Sequence, residues 1–115
     1  MSVMDKKIID FIGVDKKNNN LVLTITDHLK WRQETDDVHL LFMQNKINYY
    51  LAFIESGEVN DYFKPEDYNK FVIRVTAKYP FNSDCVKFFN LCKPIINDAG
   101  IELEWEISPL KNESD

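Results

Sequence analysis

An aspartate and a histidine stand side by side where a strand pattern ends. In VLTITDHLKW, residues 22–31, apolar and hydroxyl side chains alternate up to Asp27, and His28 follows directly. A carboxylate beside an imidazole is a pairing that general acid–base catalysis uses. Neighbouring residues of an extended strand point to opposite faces, however, so Asp27 and His28 do not pair easily with each other. The alternative is structural: Asp27 caps the turn, and His28 begins the connection.

A larger set of candidate ligand-binding residues forms if the segment after Asp27 folds back onto the start of the next helix. The 28–37 segment could bring His28 and His39 together there. Two imidazoles with carboxylates would suffice for a metal ion. The indole in this segment is expected to cover the end of the core, to line a small pocket or to anchor a partner. No HxH, HxxxH or HExxH spacing is present, so no metal ligand and no catalytic residue is assigned. The predicted ligand-binding set is Asp27, His28, Trp31, Asp36 and His39.

Other catalytic signatures are absent from the sequence. It contains no GxSxG motif, no Walker-type loop and no GxGxxG, and its three glycines leave little backbone for cradling phosphate. Cys85 and Cys92 lie two turns apart on a predicted helix, which separates their backbones by about 10 Å, too far for a disulfide. We therefore predict two reduced thiols in the core and no cofactor.

Composition restricts the class of partner. The chain has 115 residues, enough for one domain over 1–115, and a net charge of −5. An acidic chain is poorly suited to nucleic acid or anionic lipid, but it suits a basic protein partner. The N-terminus lacks a signal-peptide run, and no segment approaches the ~20 apolar residues that span a bilayer. The chain is therefore expected to be cytoplasmic and to bind a protein partner or itself, with no nucleic acid and no membrane.

Hydrophobic periodicity predicts six elements in the order β-β-α-β-α-β. Strand patterns occur at 8–14, 21–27, 69–80 and 101–107. Helical patterns occur at about 37–56 and at 83–99. Because both helices need an apolar surface, we predict an α+β fold, a two-layer sandwich with a mixed four-stranded sheet and two helices on one face. The third and fourth strands should be parallel neighbours through a right-handed crossover, whereas the full strand order stays open. The ordered core is expected to cover about 3–108, followed by a polar C-terminal tail at 109–115.

The outward faces of the last two strands carry opposite charges. In the parallel arrangement Arg74 and Lys78 would lie across from three glutamates, Glu102, Glu104 and Glu106. Exposed pairs of this kind each contribute a few tenths of a kcal/mol, which favours the register without deciding the fold.

The first predicted helix has two apolar stripes. The one that should face the sheet contains Leu40, Met43, Ile47, Tyr50, Leu51 and Ile54. The second contains three aromatic residues and a lysine, Phe42, Lys46, Tyr49 and Phe53. Either the 58–70 loop, with Tyr62, Phe63 and Tyr68, folds back over this second stripe, or the stripe is a surface for self-association or a partner.

Four segments together resemble a family of small bacterial proteins of unknown function. They are IDFIG at 9–13, LTITDHLKW at 23–31, HLLFMQNKINYYLAFIESGE at 39–58, and VIRVTAKYP at 72–80, with ITDHLxW and YLAFIESGE the most specific. The resemblance implies a stand-alone, cytoplasmic bacterial domain. It implies no activity, cofactor or site residue.

Two functions follow as predictions. The first is a non-enzymatic protein-interaction domain, accessory or immunity-like, of which a homodimer through Phe42, Lys46, Tyr49 and Phe53 is the simplest form. The alternative is a small-molecule or metal-binding site around Asp27, His28, Trp31 and His39.

Overall fold

The chain folds into one four-stranded sheet with two long helices. A computed structural model describes residues 3–4 and 7–108, so the tail predicted at 109–115 lies outside the described residues. The elements are β1 (Phe11–Asp15), β2 (Asn20–Asp27), α1 (Asp36–Glu55), β3 (Phe71–Ala77), α2 (Ser83–Asp98) and β4 (Ile101–Ile107). Two short 3-10 helices, Glu58–Asp61 and Pro65–Asp67, connect α1 to β3. The predicted β-β-α-β-α-β order and α+β class are confirmed.

The strand order explains why both helices lie on one face. The order in the sheet is β1-β2-β3-β4, with β1 antiparallel to β2 and the other neighbours parallel. Each helix therefore joins two adjacent parallel strands, and both connections step in the same direction across the sheet. Because such crossovers are right-handed, both helices must cover the same face. The predicted parallel pairing of the third and fourth strands is confirmed.

The core lies between that face of the sheet and the helices. Alternate strand residues there are at most 2% exposed, as for Leu21, Leu23, Ile25, Ile73, Val75, Ile101 and Leu103. Helix α1 contributes Met43, Ile47 and Tyr50, and α2 contributes Cys85, Phe89 and Ile96. Of the stripe predicted to face the sheet, Leu40 and Leu51 are only half-buried, and the buried side of α1 instead extends to His39, Lys46 and Phe53.

The opposite face of the sheet carries ion pairs. Arg74 pairs with Glu104 as its register predicts, and the hydrogen bond raises the pKa of the arginine. Glu102 pairs at 2.8 Å with Lys70 rather than with Lys78. Lys78 follows the end of β3 and lies over the ring of Tyr79, so its predicted place opposite a glutamate is wrong.

Two of the four residues of the second stripe of α1, Lys46 and Phe53, are buried by the same chain. Lys46 is 0% exposed: its Nζ donates to the carbonyl of Ile8 at 2.6 Å and lies 3.0 Å from Oδ1 of Asp10. Phe53 is 8% exposed and stacks on Tyr62, whose segment follows the helix. Phe42 and Tyr49 pack partly buried against the core. The N-terminal segment therefore covers Lys46 and the segment after α1 covers Phe53, whereas Phe42 and Tyr49 stay partly exposed, so an interface through this stripe stays a prediction.

The polar contacts of Tyr50 also set where β1 begins. Its hydroxyl donates to the carbonyl of Thr24 at 2.5 Å and accepts the backbone N–H of Asp10 at 2.8 Å. Because Asp10 is bound to the helix in this way, strand pairing starts at Phe11 rather than at residue 8. Burial raises the pKa of Tyr50.

Residues at the ends of α1 and α2 determine where each helix begins or stops. Asn82 caps α2 by accepting the N–H of Cys85 at 2.8 Å, and Gly57 follows α1 with a left-handed φ of 85°. Asp36 makes no capping bond; it lies in the first turn of α1 behind Thr35, where its charge suits the helix dipole. Among the described residues, no helix is long and apolar enough to cross a bilayer.

Candidate functional site

The partner of Asp27 is His39, not His28. Asp27 shares the helix-facing side of β2 with Leu23 and Ile25, so its side chain enters the core and is 2% exposed. The first turn of α1 presents His39 to it, and Nε2 of the imidazole lies 2.7 Å from Oδ2 of the carboxylate. Oδ1 accepts the backbone N–H of Leu29 at 3.0 Å. As strand geometry predicts, His28 points away from Asp27 and is exposed.

The indole of Trp31 packs against a face of the His39 imidazole. The indole and the His39 ring stack with centroids 3.5 Å apart and planes 11° from parallel. The segment between β2 and α1 therefore folds back onto the first turn of α1, and Trp31 both packs against the end of the core and contacts His39. Asp27, Trp31 and His39 form one unit, which we call the imidazole cluster.

The imidazole cluster contains two buried nitrogen atoms without hydrogen-bond partners in the described part of the chain. They are Nδ1 of His39 and Nε1 of Trp31. Because an ionised carboxylate only accepts hydrogen bonds, the Nε2 nitrogen of His39 is assigned a proton, and when the ring holds only that proton, Nδ1 carries a lone pair. Leaving such a group buried and unbonded costs about 1–3 kcal/mol, so it is a site where a bound donor would be stabilised.

A cleft of about 530 Å³ lies at this end of the sheet, where β2 and β3 finish and α1 begins. Its basic and polar lining residues are His28, Lys30, Arg32, Thr35, His39 and Tyr79. Its apolar lining residues are Met4, Leu29, Val38 and Phe42. The carboxyl ends of parallel strands are where ligands bind in open α/β sheets.

The five predicted site residues differ in their position relative to the cleft. His28 and His39 line the cleft, and Asp27 and Trp31 hold His39 without lining the cleft themselves. Asp36 is half-buried in α1 and does not line it. Within residues 3–4 and 7–108, no three His, Cys, Asp or Glu side chains gather as metal ligands.

Sequence reasoning missed the basic residues of the cleft. Lys30 and Arg32 flank Trp31 in the LKWR segment, and that alternation was the available signal. Tyr79 could not be assigned to the site from the sequence. It lies at the same edge of the sheet as Lys30 only because β2 and β3 pair in parallel. Lys30 lies 5.3 Å from the centre of the Tyr79 ring, a cation–π contact across the cleft.

Cys85 lies buried near Asp27 and is chemically shielded. Burial, and secondarily the charge of Asp27, raises the pKa of its thiol to about 12. At pH 8 such a thiol is only about one part in ten thousand thiolate, the reactive form. Cys92 is half-buried, and burial raises its pKa as well.

We expect a thiol reagent such as DTNB, at pH 8, to label at most one cysteine of the native protein, Cys92. In denaturant it should label both. Cys92→Ala should then abolish labelling of the native protein. Equal labelling rates for the two thiols without denaturant would contradict the burial of Cys85.

Comparison with known proteins identifies a family and nothing more specific. A family model described as a family of unknown function (DUF6572) matches residues 1–109. No curated protein and no solved structure matches the chain.

Proposed function

We propose that this chain, which belongs to DUF6572, a family of unknown function, binds a small organic anion in the cleft beside the imidazole cluster. The observation that carries the proposal is the buried Nδ1 of His39, which lacks a partner in the described chain while its residue lines the cleft. A ligand hydroxyl or N–H that donates to Nδ1 would satisfy it.

The charges of the cleft select an anion. Its lining residues in the described chain include Lys30, Arg32 and His28 but no carboxylate, although the whole chain has a net charge of −5. A local excess of positive charge on an acidic protein attracts a negative group to this one place. The planar guanidinium of Arg32 suits a carboxylate or phosphate in particular.

The apolar lining residues of the cleft indicate the chemistry of the uncharged part of the ligand. Leu29, Val38 and Phe42 offer a hydrophobic wall, and Tyr79 adds an aromatic ring. Pockets that bind small organic molecules combine such walls with a few polar groups that fix orientation. The ligand class is therefore a compact acid with an apolar or aromatic body and a hydrogen-bond donor away from the charge.

The structure favours this site over the predicted contact stripe. Lys46 and Phe53 of that stripe are buried within the chain, whereas the cleft is open to solvent and one of its lining residues, His39, has a buried nitrogen, Nδ1, without a partner in the described chain. The accessory or immunity-like role stays a prediction.

A set of three compounds tests the charge and the donor separately. We expect 4-hydroxybenzoate at 10 mM to raise the Tm by several degrees in a thermal-shift assay, because a ligand that binds only the folded state stabilises it by mass action. Benzoate lacks the hydroxyl donor and 4-hydroxybenzamide lacks the charge. Both should give a smaller shift, and fluorescence of Trp31 should change only with the acids.

Two double variants that remove the same charge at different places test whether the ligand binds in the cleft. Lys30→Gln with Arg32→Gln should remove the shift caused by 4-hydroxybenzoate. Lys16→Gln with Lys17→Gln removes the same charge from the exposed β1–β2 turn and should leave the shift unchanged. An equal shift from 4-hydroxybenzamide, no shift from either acid, or a shift that survives in the cleft variant would each overturn the proposal.

A further inference from the structure

Helix α2 presents two large aliphatic side chains to solvent. Leu91 is 72% exposed and Ile95 is 71% exposed, the two most exposed aliphatic residues in the described chain. At 100° per residue they share a face, about 80° wide, with the exposed Lys87 and Asp98. We call these four residues the α2 face. A lone exposed leucine is ordinary, but a leucine and an isoleucine one turn apart form an apolar patch.

A shallow groove lies beside the α2 face, between the two helices. Its volume is about 250 Å³, and its lining includes Leu51 from α1 and Phe88 and Cys92 from α2. Ile95 belongs both to the α2 face and to this groove. A protruding aliphatic patch and an apolar groove therefore adjoin on one surface, which is the arrangement that a self-complementary interface about a two-fold axis needs.

The charges of the α2 face are arranged for an antiparallel pairing with a copy of itself. Lys87 lies one turn before Leu91, and Asp98 lies nearly one turn after Ile95. The charged pair, Lys87 and Asp98, and the aliphatic pair, Leu91 and Ile95, are centred on the same point of α2 to within one residue. When two such helices cross antiparallel about that point, each Lys87 faces Asp98 of the other copy. Neither residue has an ion-pair partner among the described residues.

The groove itself carries no charge that would select a different partner. Its lining residues include the neutral Gln44 and Asn48, and none is acidic or basic. Two copies of a chain with a net charge of −5 repel each other, so a self-interface must be locally neutral. The four residues of the α2 face meet this condition, with Lys87 toward one end and Asp98 toward the other; the exposed Asp84, on the same side of α2, lies nearly one turn before Lys87 and outside the paired residues.

We propose that a second copy of this chain docks on the α2 face, with Leu91 and Ile95 at the two-fold axis and Lys87–Asp98 pairs at both ends. This surface lies away from the residues that line the cleft, so the dimer and the proposed ligand site are independent. The self-association predicted from the sequence thereby moves from α1 to α2.

Charge reversal gives a test that separates specific pairing from net charge. By analytical ultracentrifugation between about 5 and 500 µM, we expect a monomer–dimer equilibrium with a Kd in the range of about 10–100 µM. Lys87→Asp and Asp98→Lys should each weaken dimerisation at least tenfold, because each places like charges across the interface. The double reversal should restore the Kd to within about threefold.

Net charge alone predicts a different pattern. Asp98→Lys makes the chain less acidic, so general repulsion would let this variant dimerise better than the wild type. Lys64→Asp, at an exposed site outside α2, changes the charge as Lys87→Asp does and should leave the Kd nearly unchanged. Leu91→Glu should abolish the dimer, with an unchanged circular dichroism spectrum. A monomeric wild type at 500 µM, or an Asp98→Lys variant that dimerises as well as the wild type, would overturn the proposal.

Discussion

Replacing Lys46 by methionine is expected to lower the free energy of unfolding by about 3–5 kcal/mol. The side chains of Lys46 and Asp10 are both 0% exposed, with Nζ and Oδ1 3.0 Å apart. Methionine fills a similar volume without the charge, so the loss comes from the carboxylate that stays buried. Asp10 keeps the N–H and hydroxyl of Thr26 as donors, but these dipoles do not neutralise its charge. Urea denaturation followed by circular dichroism measures the change.

Two further variants separate the buried charge from the rest of the contact. Lys46→Met combined with Asp10→Asn should recover much of the loss, because the amide oxygen still accepts from Thr26 and the buried charge of Asp10 is removed. Lys70→Met breaks the exposed pair with Glu102 and should cost about 1 kcal/mol or less. If Lys46→Met cost no more than Lys70→Met, the pair with Asp10 would not be a buried ion pair in solution.

The misplacement of Lys46 shows what periodicity leaves out. Alternation in β2, β3 and β4 predicted the sheet, and the spacing of Met43, Ile47 and Tyr50 predicted the face of α1 that meets it, because these patterns are local. Lys46 is buried by a segment 38 residues away, around Ile8, which no local pattern indicates. One signal was available: a helix with apolar residues on two sides is typically covered on both.

The imidazole cluster was predicted in membership but not in pairing. Asp27, Trp31 and His39 belonged to the predicted set of five, since Asp27 and His39 lie at the ends of predicted elements and Trp31 is an indole in the polar segment between them. That the carboxylate contacts His39 across 12 positions depends on the angle at which α1 returns over the sheet. The packing of the core sets this angle, so the pairing could not be obtained from residue types and spacing.

Replacing Asp27 by alanine should therefore have the second largest effect, a loss of about 3 kcal/mol of unfolding free energy. The carboxylate is the acceptor for two donors, the buried Nε2 of His39 and the half-buried N–H of Leu29, and an unsatisfied buried donor costs about 1–3 kcal/mol. Urea denaturation measures the loss. Asp37→Asn, at an exposed acid in the same helical turn as His39, should change stability by about 0.5 kcal/mol or less.

Asp27→Asn tests the assigned proton directly. An asparagine has one acceptor oxygen, and the N–H of Leu29 is a fixed donor, so the oxygen should stay there and the NH₂ should face Nε2 of His39. The ring can satisfy that donor only by moving its proton to Nδ1. We expect ¹⁵N chemical shifts of the imidazole to show this change of tautomer, and the Tm shift with 4-hydroxybenzoate to fall to that with benzoate, because Nδ1 no longer accepts. A ring that keeps its proton on Nε2 would mean that the carboxylate does not orient His39.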